Sequence, residues 1–516
     1  MDRPWNRTAS ALLGAVAGAC VYAMRRADPD LWGYLSYGRL FVQQGGPVDW
    51  DPFSYTCANC RWIYFEYLSQ VSIWLAYWSA GPLGLILLKC VLGGVAAFFV
   101  LRTLRSIEPR PLLWLPIYLL ALGMVPRFFL FRPQLYTFAF FAFFVDTVLR
   151  YLAGGHTRLW LLVPATAIWA NLHGGFLAGL GMIGLAALLS AAQAANRGAG
   201  VRGALASGRD LWLALIGAFA ASFLNPQGWR LWEYLLTELS HDTNRRYIAE
   251  WMPLSFARDP WSAALTLLLL TVFLVISALA WQRRSSPLGV HSWQWLAASA
   301  PLVLMTIQSV RHVPILTIWL SPVLVLLLGG AYSAPTEPLR RFWAVVSVVF
   351  AVPALLTLWL VVTDPAPNIG IPGGTLGRTA PFGAVEFLKR SGLTGRLCLP
   401  LWWGSYATWE LDPRVKVSMD GRNVSLYPRA MVRANLEFYR RGDGAQDQLG
   451  LETADFLLMP SDAPALARVR HDSRWRRLFE DPDCVLFGRA EAELPSGLLD
   501  SVPIDAPSSS GPGFLR

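Results

Sequence analysis

Charge is scarce in this chain. Asp, Glu, Lys and Arg make up 15% of its 516 residues, where a soluble domain carries about 25%. With 54% hydrophobic residues and a mean hydropathy of +0.39, the composition excludes an ordinary soluble protein and fits a polytopic membrane protein. Lysine is almost missing, so the net charge of +10 is mostly arginine. Basic residues next to membrane spans gather on the cytoplasmic side, so this balance gives no reason to expect nucleic acid as a partner. A small-residue cleavage site is absent after the first apolar run, Ala9–Met24, which therefore reads as an uncleaved first span. Cysteine is rare, with six in all. Cys20 and Cys90 fall in apolar stretches and read as inert packing residues. Cys57 and Cys60 form Cys-Ala-Asn-Cys in a polar loop, where a local disulfide is the first expectation in an oxidising compartment. A zinc half-site is the lesser reading, because no second Cys/His pair stands at metal spacing. Cys398 and Cys484 sit in predicted strands and could pair.

What is present is a series of apolar runs. Beyond the first, spans are predicted at Gly84–Leu104, Leu112–Val125, Pro133–Leu149, Leu159–Ala170, Phe176–Ala194, Leu211–Leu224, Trp261–Trp281, Trp293–Ile307, Val313–Leu328 and Phe342–Val362, about eleven in total. With the N-terminus in the cytoplasm, alternate gaps hold Arg102, Arg105 and Arg110, then Arg150 and Arg158, Arg197, Arg202 and Arg209, Arg283 and Arg284, and Arg340 and Arg341. That asymmetry follows the positive-inside rule and puts the C-terminal region outside. The aromatic stretch Tyr64–Ala80 contains Glu66, Ser69, Gln70 and Ser72. As a span it would invert every later gap, so it reads as an amphipathic helix in the outer interface, within a first outer loop of about 25–82.

Polar side chains collect at the outer span ends. They are Asp28, Asp30, Asp49, Asp51 and Glu66, Arg127 and Arg132, Asn171 and His173, Asn225, Glu250, and the pair Arg311-His312. Ionisable residues near bilayer depth are costly and point to function. Each also has a plainer reading. Asp28-Pro29-Asp30 caps helices commonly. Arg127 and Arg132 suit a phosphate or diphosphate, or simply anchor a span. His173 donates to substrate or phosphate, or closes a tight turn before Gly174-Gly175. Arg311 and His312 touch a phosphate or sugar, or mark the interface, and Glu66 is a site residue or the polar face of its helix.

After Val362 the composition changes. A Pro/Gly-rich linker (363–377) leads to an α/β domain (378–490) with a small, mostly parallel sheet expected, then a Ser/Pro/Gly-rich tail (491–516) expected to be disordered. The preceding residues, 1–362, form the membrane domain. Asp420-Gly421-Arg422 falls at a strand's C-terminal end, where open sheets place ligands, although an ordinary tight turn reads the same way.

The stretches Asp28–Trp32, Asp51–Thr56, Trp62–Gln70, Arg132–Gln134, Trp169–Phe176, Asn225–Trp229, Glu250-Trp251 and Met419–Arg422, in this order of spans, resemble the GT-C membrane glycosyltransferases, in particular a bacterial branch related to the protein-mannosyltransferase-like proteins. Trp32-Gly33-Tyr34 stands where that branch would have Trp-Trp-His. The resemblance implies a polytopic α-helical membrane protein of the bacterial cytoplasmic membrane with a small extracytoplasmic α/β domain. It implies transfer of a sugar from a polyprenyl-phosphate carrier to a lipid, glycan or protein acceptor. Asp30 would be the base, with Asp28 its nearest rival. Substrate or phosphate would be held among Glu66, Arg127, Arg132, Asn171, His173, Glu250, Arg311 and His312. No metal ligand is expected, and the part of a divalent metal stays open. Two rivals have the same span count: a non-catalytic assembly or glycan-binding protein, and a secondary transporter, although polarity at the bilayer midplane and inverted repeats are not evident.

Overall fold

The computed structural model describes residues 4–23, 28–58, 60–124, 131–239, 251–282, 288, 290–331, 341, 351–352, 355–356, 359, 380–442 and 449–492. Two compact units emerge. One joins Met1–Met24 with Ile86–Asp364, and the other joins Arg25–Leu85 with Pro365–Arg516.

The helices are α1 (Pro4–Tyr22), α2 (Leu31–Gln43), α3 (Tyr67–Ile107), α4 (Pro111–Met124), α5 (Gln134–Leu152), α6 (Leu162–Leu172), α7 (Phe176–Asn196), α8 (Val201–Ser207), α9 (Arg209–Ala221), α10 (Trp229–Leu239), α11 (Pro260–Gln282), α12 (Ser292–Gln308) and α13 (Val313–Ala331). Among the described residues five are long and apolar enough to cross a membrane, or six if the bent pair α8–α9 is one span. Ten of the eleven predicted spans overlap a helix, but several of these helices are shorter than a bilayer requires. The eleventh, Phe342–Val362, lies largely outside the described residues, as do the linker and all but the first two residues of the tail. The expected separation of the interfacial segment from the second span appears as a break within α3. Ala80 and Gly81 leave helical geometry, Gly81 at φ 57°, and Pro82 follows. Glycine tolerates that positive φ, and the proline removes a helix hydrogen bond.

In the helical unit α13 is apolar on all sides and is the most enclosed span, as a helix without a polar face must be. It packs against α4, α5, α11 and α12. Two sets of polar contacts lie at C-terminal ends of these helices. Near the C-terminal end of α5, buried Asp146 pairs with Arg102 of α3 (Nε–Oδ1 3.1 Å) and with Arg150 (3.5 Å). At the C-terminal end of α13, Gly329 O accepts from Arg110, which also pairs with Glu108. Arginines from gaps predicted to share one face thus meet at one end of the bundle.

The second unit adds α14 (Phe382–Ser391), α15 (Leu401–Leu411), α16 (Arg429–Arg441) and α17 (Leu466–Arg470) around five strands: β1 (Gly395–Cys398), β2 (Val415–Val417), β3 (Phe456–Pro460), β4 (Trp475–Glu480) and β5 (Cys484–Arg489). Their order is β2-β1-β3-β5-β4. The sheet is mixed, not mostly parallel as expected: β1 runs parallel to β2 and β3, but β5 is antiparallel to β3 and β4. The sequence reading missed β4, and the three residues between β4 and β5 are too few for a parallel crossover. Residues 53–55 of the first loop run beside β2, with Tyr55 N–H donating to Val417 O and Val417 N–H to Phe53 O. They cover an otherwise open sheet edge.

Cys57 and Cys60 are disulfide-bonded. Thiol labelling of untreated membranes should leave both unmodified until reductant is added; reactive thiols at both positions without reductant would refute the bridge. Cys398 and Cys484 are buried free thiols. They sit on β1 and β5 with β3 between them, about 10 Å apart by strand spacing, too far to bridge.

Candidate functional site

Two groups of the expected residues are built up, one in each unit. In the sheet-bearing unit the chain enters α2 through Asp28-Pro29-Asp30. Asp28 is buried, and its Oδ1 accepts the Asp30 N–H at 2.9 Å, closing an Asx turn. Asp30 occupies the N-cap position of α2, yet its side chain makes no cap hydrogen bond. The plainer reading of this carboxylate as a helix cap therefore does not hold. It lies instead against the turn Asp420-Gly421-Arg422: a Cβ on Gly421 would overlap Asp30 Oδ1 and stand 2.7 Å from Ser405 Oγ. Gly421 N–H donates to Ser405 Oγ at 3.1 Å. Only glycine leaves room for the Asp30 carboxylate there. Gly33 is likewise tight: a Cβ would lie 2.9 Å from Ser405 Oγ and 2.8 Å from the Tyr37 hydroxyl. Next to it, the Trp32 ring meets Tyr406 of α15 edge-on at 5.9 Å.

The neighbouring turn residues hold this arrangement through buried charge. Arg422 Nη2 lies 2.7 Å from Asp420 Oδ2, and its Nε donates to Asp420 Oδ1 at 2.9 Å. Its Nη1 stands 2.8 Å from Asp51 Oδ1, without hydrogen-bond alignment. Asp51 also accepts the N–H groups of Phe53 and Ser54. The guanidinium is surrounded by the rings of Trp62 (4.8 Å), Tyr37 (5.0 Å), Phe53 (5.4 Å) and Tyr427 (5.9 Å). Burial alone would favour losing the proton, but Asp420, Tyr427 and Asp51 outweigh it and hold the guanidinium charged. Burial first, then Asp420, pushes the Tyr37 phenol well above its ordinary range. Within Asp420-Gly421-Arg422, the buried Asp420 and Arg422 pair with each other and with Asp51 and so latch the turn to the first loop. Ser405 and Tyr37 carried no signal in the sequence, whereas Asp51 stood among the outer-face acids and at the start of the resembling stretch Asp51–Thr56. Glu66 precedes α3, and its backbone carbonyl accepts from Ser69 and Gln70.

In the helical unit, Arg132, Asn171, His173, Arg311 and His312 fall at the ends of α5, α6, α12 and α13. Arg127 and Glu250 lie outside the described residues. His173 follows α6; its Nδ1 is 2.7 Å from Thr137 Oγ1 and accepts the Gly175 N–H at 3.0 Å. Burial, and then the positive charge of Arg311, lower its pKa to about 3. The Arg311 guanidinium stacks on Trp251 at 4.1 Å. Asn171 Nδ2 donates to Ala167 O and Leu224 O, and its buried Oδ1 makes no hydrogen bond with the described residues. Asn225 Nδ2 donates to Ala170 O at 3.0 Å, so the two asparagines tie the ends of α6 and α9 together. His312 Nδ1 is 3.1 Å from Met305 O, the carbonyl end of α12. Thr137 and Trp169 complete the His173 surroundings and carried no polar-cluster signal in the sequence. Among the described residues no group of three or more His, Cys, Asp or Glu is gathered as a metal ion would need, so no metal-holding set is assigned.

No family model and no curated protein matches the chain. Among solved structures, ArnT from Cupriavidus metallidurans bound to undecaprenyl phosphate is similar, with a TM-score of 0.52 at 14% identity, covering 94% of this chain and 97% of that one. The oligosaccharyltransferase AglB from Archaeoglobus fulgidus, in complex with an inhibitory peptide and a dolichol-phosphate, reaches a TM-score of 0.49 at 11% identity, covering 89% of this chain and 69% of that one. The first likeness spans nearly both chains and shows a shared fold.

Proposed function

We propose that this chain is a membrane glycosyltransferase. It moves a sugar from a polyprenyl-phosphate carrier to a lipid, glycan or protein acceptor at the outer face of the bacterial cytoplasmic membrane. The observation that carries the reading is the end-to-end likeness in fold to a structure that holds undecaprenyl phosphate. The chemistry follows from the side chains. Asp30 accepts the proton of the acceptor hydroxyl as that oxygen forms its bond to the anomeric carbon. The bond from that carbon to the carrier phosphate breaks, and the phosphate leaves with the electron pair. One displacement inverts the anomeric centre and needs no covalent nucleophile. A phosphate leaving group needs little protonation but does need cations; Arg127, Arg132 and Arg311 are assigned to it. His173 and Asn171 are placed as hydrogen-bonding partners of the substrate, with Glu66, Glu250 and His312 at its edge. Asp28, used in its turn, shapes the approach to Asp30.

The test is carrier binding by the full-length protein in nanodiscs, with undecaprenyl phosphate as the probe. Arg132→Ala should weaken binding about 10–100-fold, the loss of one charge-assisted hydrogen bond of about 1.5–3 kcal/mol. Equal affinity of wild type and variant would remove Arg132 from the phosphate site, and no binding by wild type would sink the reading itself.

A further inference from the structure

Three donors converge around the ring of His173, and two of them cannot be reversed. The Trp169 indole Nε1–H donates to Thr137 Oγ1 at 3.0 Å, and an indole N–H is never an acceptor. Thr137 Oγ1 lies 2.7 Å from His173 Nδ1, and because the Gly175 amide requires a bare nitrogen there, the hydroxyl is the donor in this contact. The Gly175 backbone N–H points at the same nitrogen from 3.0 Å. A proton on Nδ1 would face a fixed N–H head-on. The backbone is held there too, since a Cβ at Gly175 would overlap Thr137 Oγ1 and stand 2.9 Å from His173 Nδ1. We propose that Thr137 is a positioning residue which, with Trp169 and the Gly175 amide, locks His173 as the neutral Nε2–H tautomer, a fixed donor to a phosphate oxygen of the carrier.

The choice of phosphate rests on the glycosyltransferase reading and on the electrostatic coupling to Arg311. That guanidinium is the charged group identified as acting on the ring, and it disfavours a second proton. Such a histidine neither shuttles protons nor adds charge. It supplies direction, because a neutral ring with a single N–H donates to one oxygen position. The histidine of a tight turn would titrate near its usual value of about 6.5 and exchange tautomers.

The experiment is solid-state ¹⁵N NMR of the full-length protein in lipid with labelled histidine, the His173 signals being assigned by their loss in His173→Gln. Wild type should show one protonated nitrogen, Nε2, and one bare nitrogen, Nδ1, unchanged between about pH 5 and 8, a range around the ordinary histidine pKa. Thr137→Val should restore titration or mix the tautomers, and Thr137→Ser should return the wild-type pattern. Adding undecaprenyl phosphate should shift the Nε2 resonance and leave Nδ1 nearly in place. A proton on Nδ1, or a doubly protonated ring near pH 6, would overturn the lock. An unmoved Nε2 signal with carrier demonstrably bound would overturn the donor role. Failure of wild type to bind carrier would count against the glycosyltransferase reading and would leave the tautomer result standing by itself.

Discussion

Asp30→Asn should lower sugar transfer by about 10²–10⁴-fold, the usual contribution of a general base, while the protein still inserts and folds. The substitution keeps the shape of a side chain that makes no helix cap and lies against Gly421. Asp28→Asn is the discriminating control. The Asx turn uses Oδ1 of Asp28 as an acceptor for the Asp30 N–H, and asparagine retains that oxygen. Transfer by Asp28→Asn should therefore stay within several-fold of wild type, judged against the same general-base range. The assay is transfer or donor hydrolysis in membranes supplied with a polyprenyl-phosphate-linked sugar. If Asp28→Asn is inactive and Asp30→Asn is not, the base is Asp28. Full activity in both variants would return this stretch to a structural turn.

Arg422→Met should be the most destabilising single change in the sheet-bearing unit. The side chain is 2% exposed and stands between Asp51 and Asp420, both with side chains at 0%. Removing it leaves two buried carboxylates facing an apolar chain, a loss of about 3–5 kcal/mol for a broken buried pair. Thermal unfolding of the purified full-length protein, followed together with proteolysis of the C-terminal region, measures it. Combining Arg422→Met with Asp51→Asn and Asp420→Asn removes the stranded charge and should recover a good part of the loss. A single variant as stable as wild type would mean that aromatic packing around Arg422, and not charge pairing, holds the first loop in place. The two predictions separate function from fold, because Asp30→Asn acts on rate and Arg422→Met acts on stability.

The likeness to ArnT bears on the rival readings unequally. A secondary transporter predicts inverted repeats and midplane polarity. The chain shares its fold with ArnT over nearly its whole length, and neither of those features is evident in its sequence. A non-catalytic relative would keep this fold, and the Asp30 variants are what distinguish it from an enzyme.

Hydropathy was enough to find the membrane class, the break within α3 and most of the helices, because a bilayer imposes a length and a composition on each span locally. The arginine pattern grouped gaps for the same reason. Arg102 and Arg150, assigned to separate gaps of one face, meet at Asp146. The Cys57–Cys60 bridge was also local, the two cysteines being three residues apart. Contacts made by distant parts of the chain leave no such trace. Thr56 bonds to Ser418 across 362 residues, and nothing near Asp51 announces Arg422. The antiparallel half of the sheet was missed because a strand reading Trp-Arg-Arg-Leu-Phe-Glu (475–480) looks polar until β5 pairs with it. Asp28 and Asp30 look alike in sequence, and the folded chain sets them apart: one is buried in a turn, and the other lies against a glycine that no other residue can replace without displacing it. Local chemistry thus marks which residues are costly, but the roles of those residues depend on partners that only folding brings within hydrogen-bond reach.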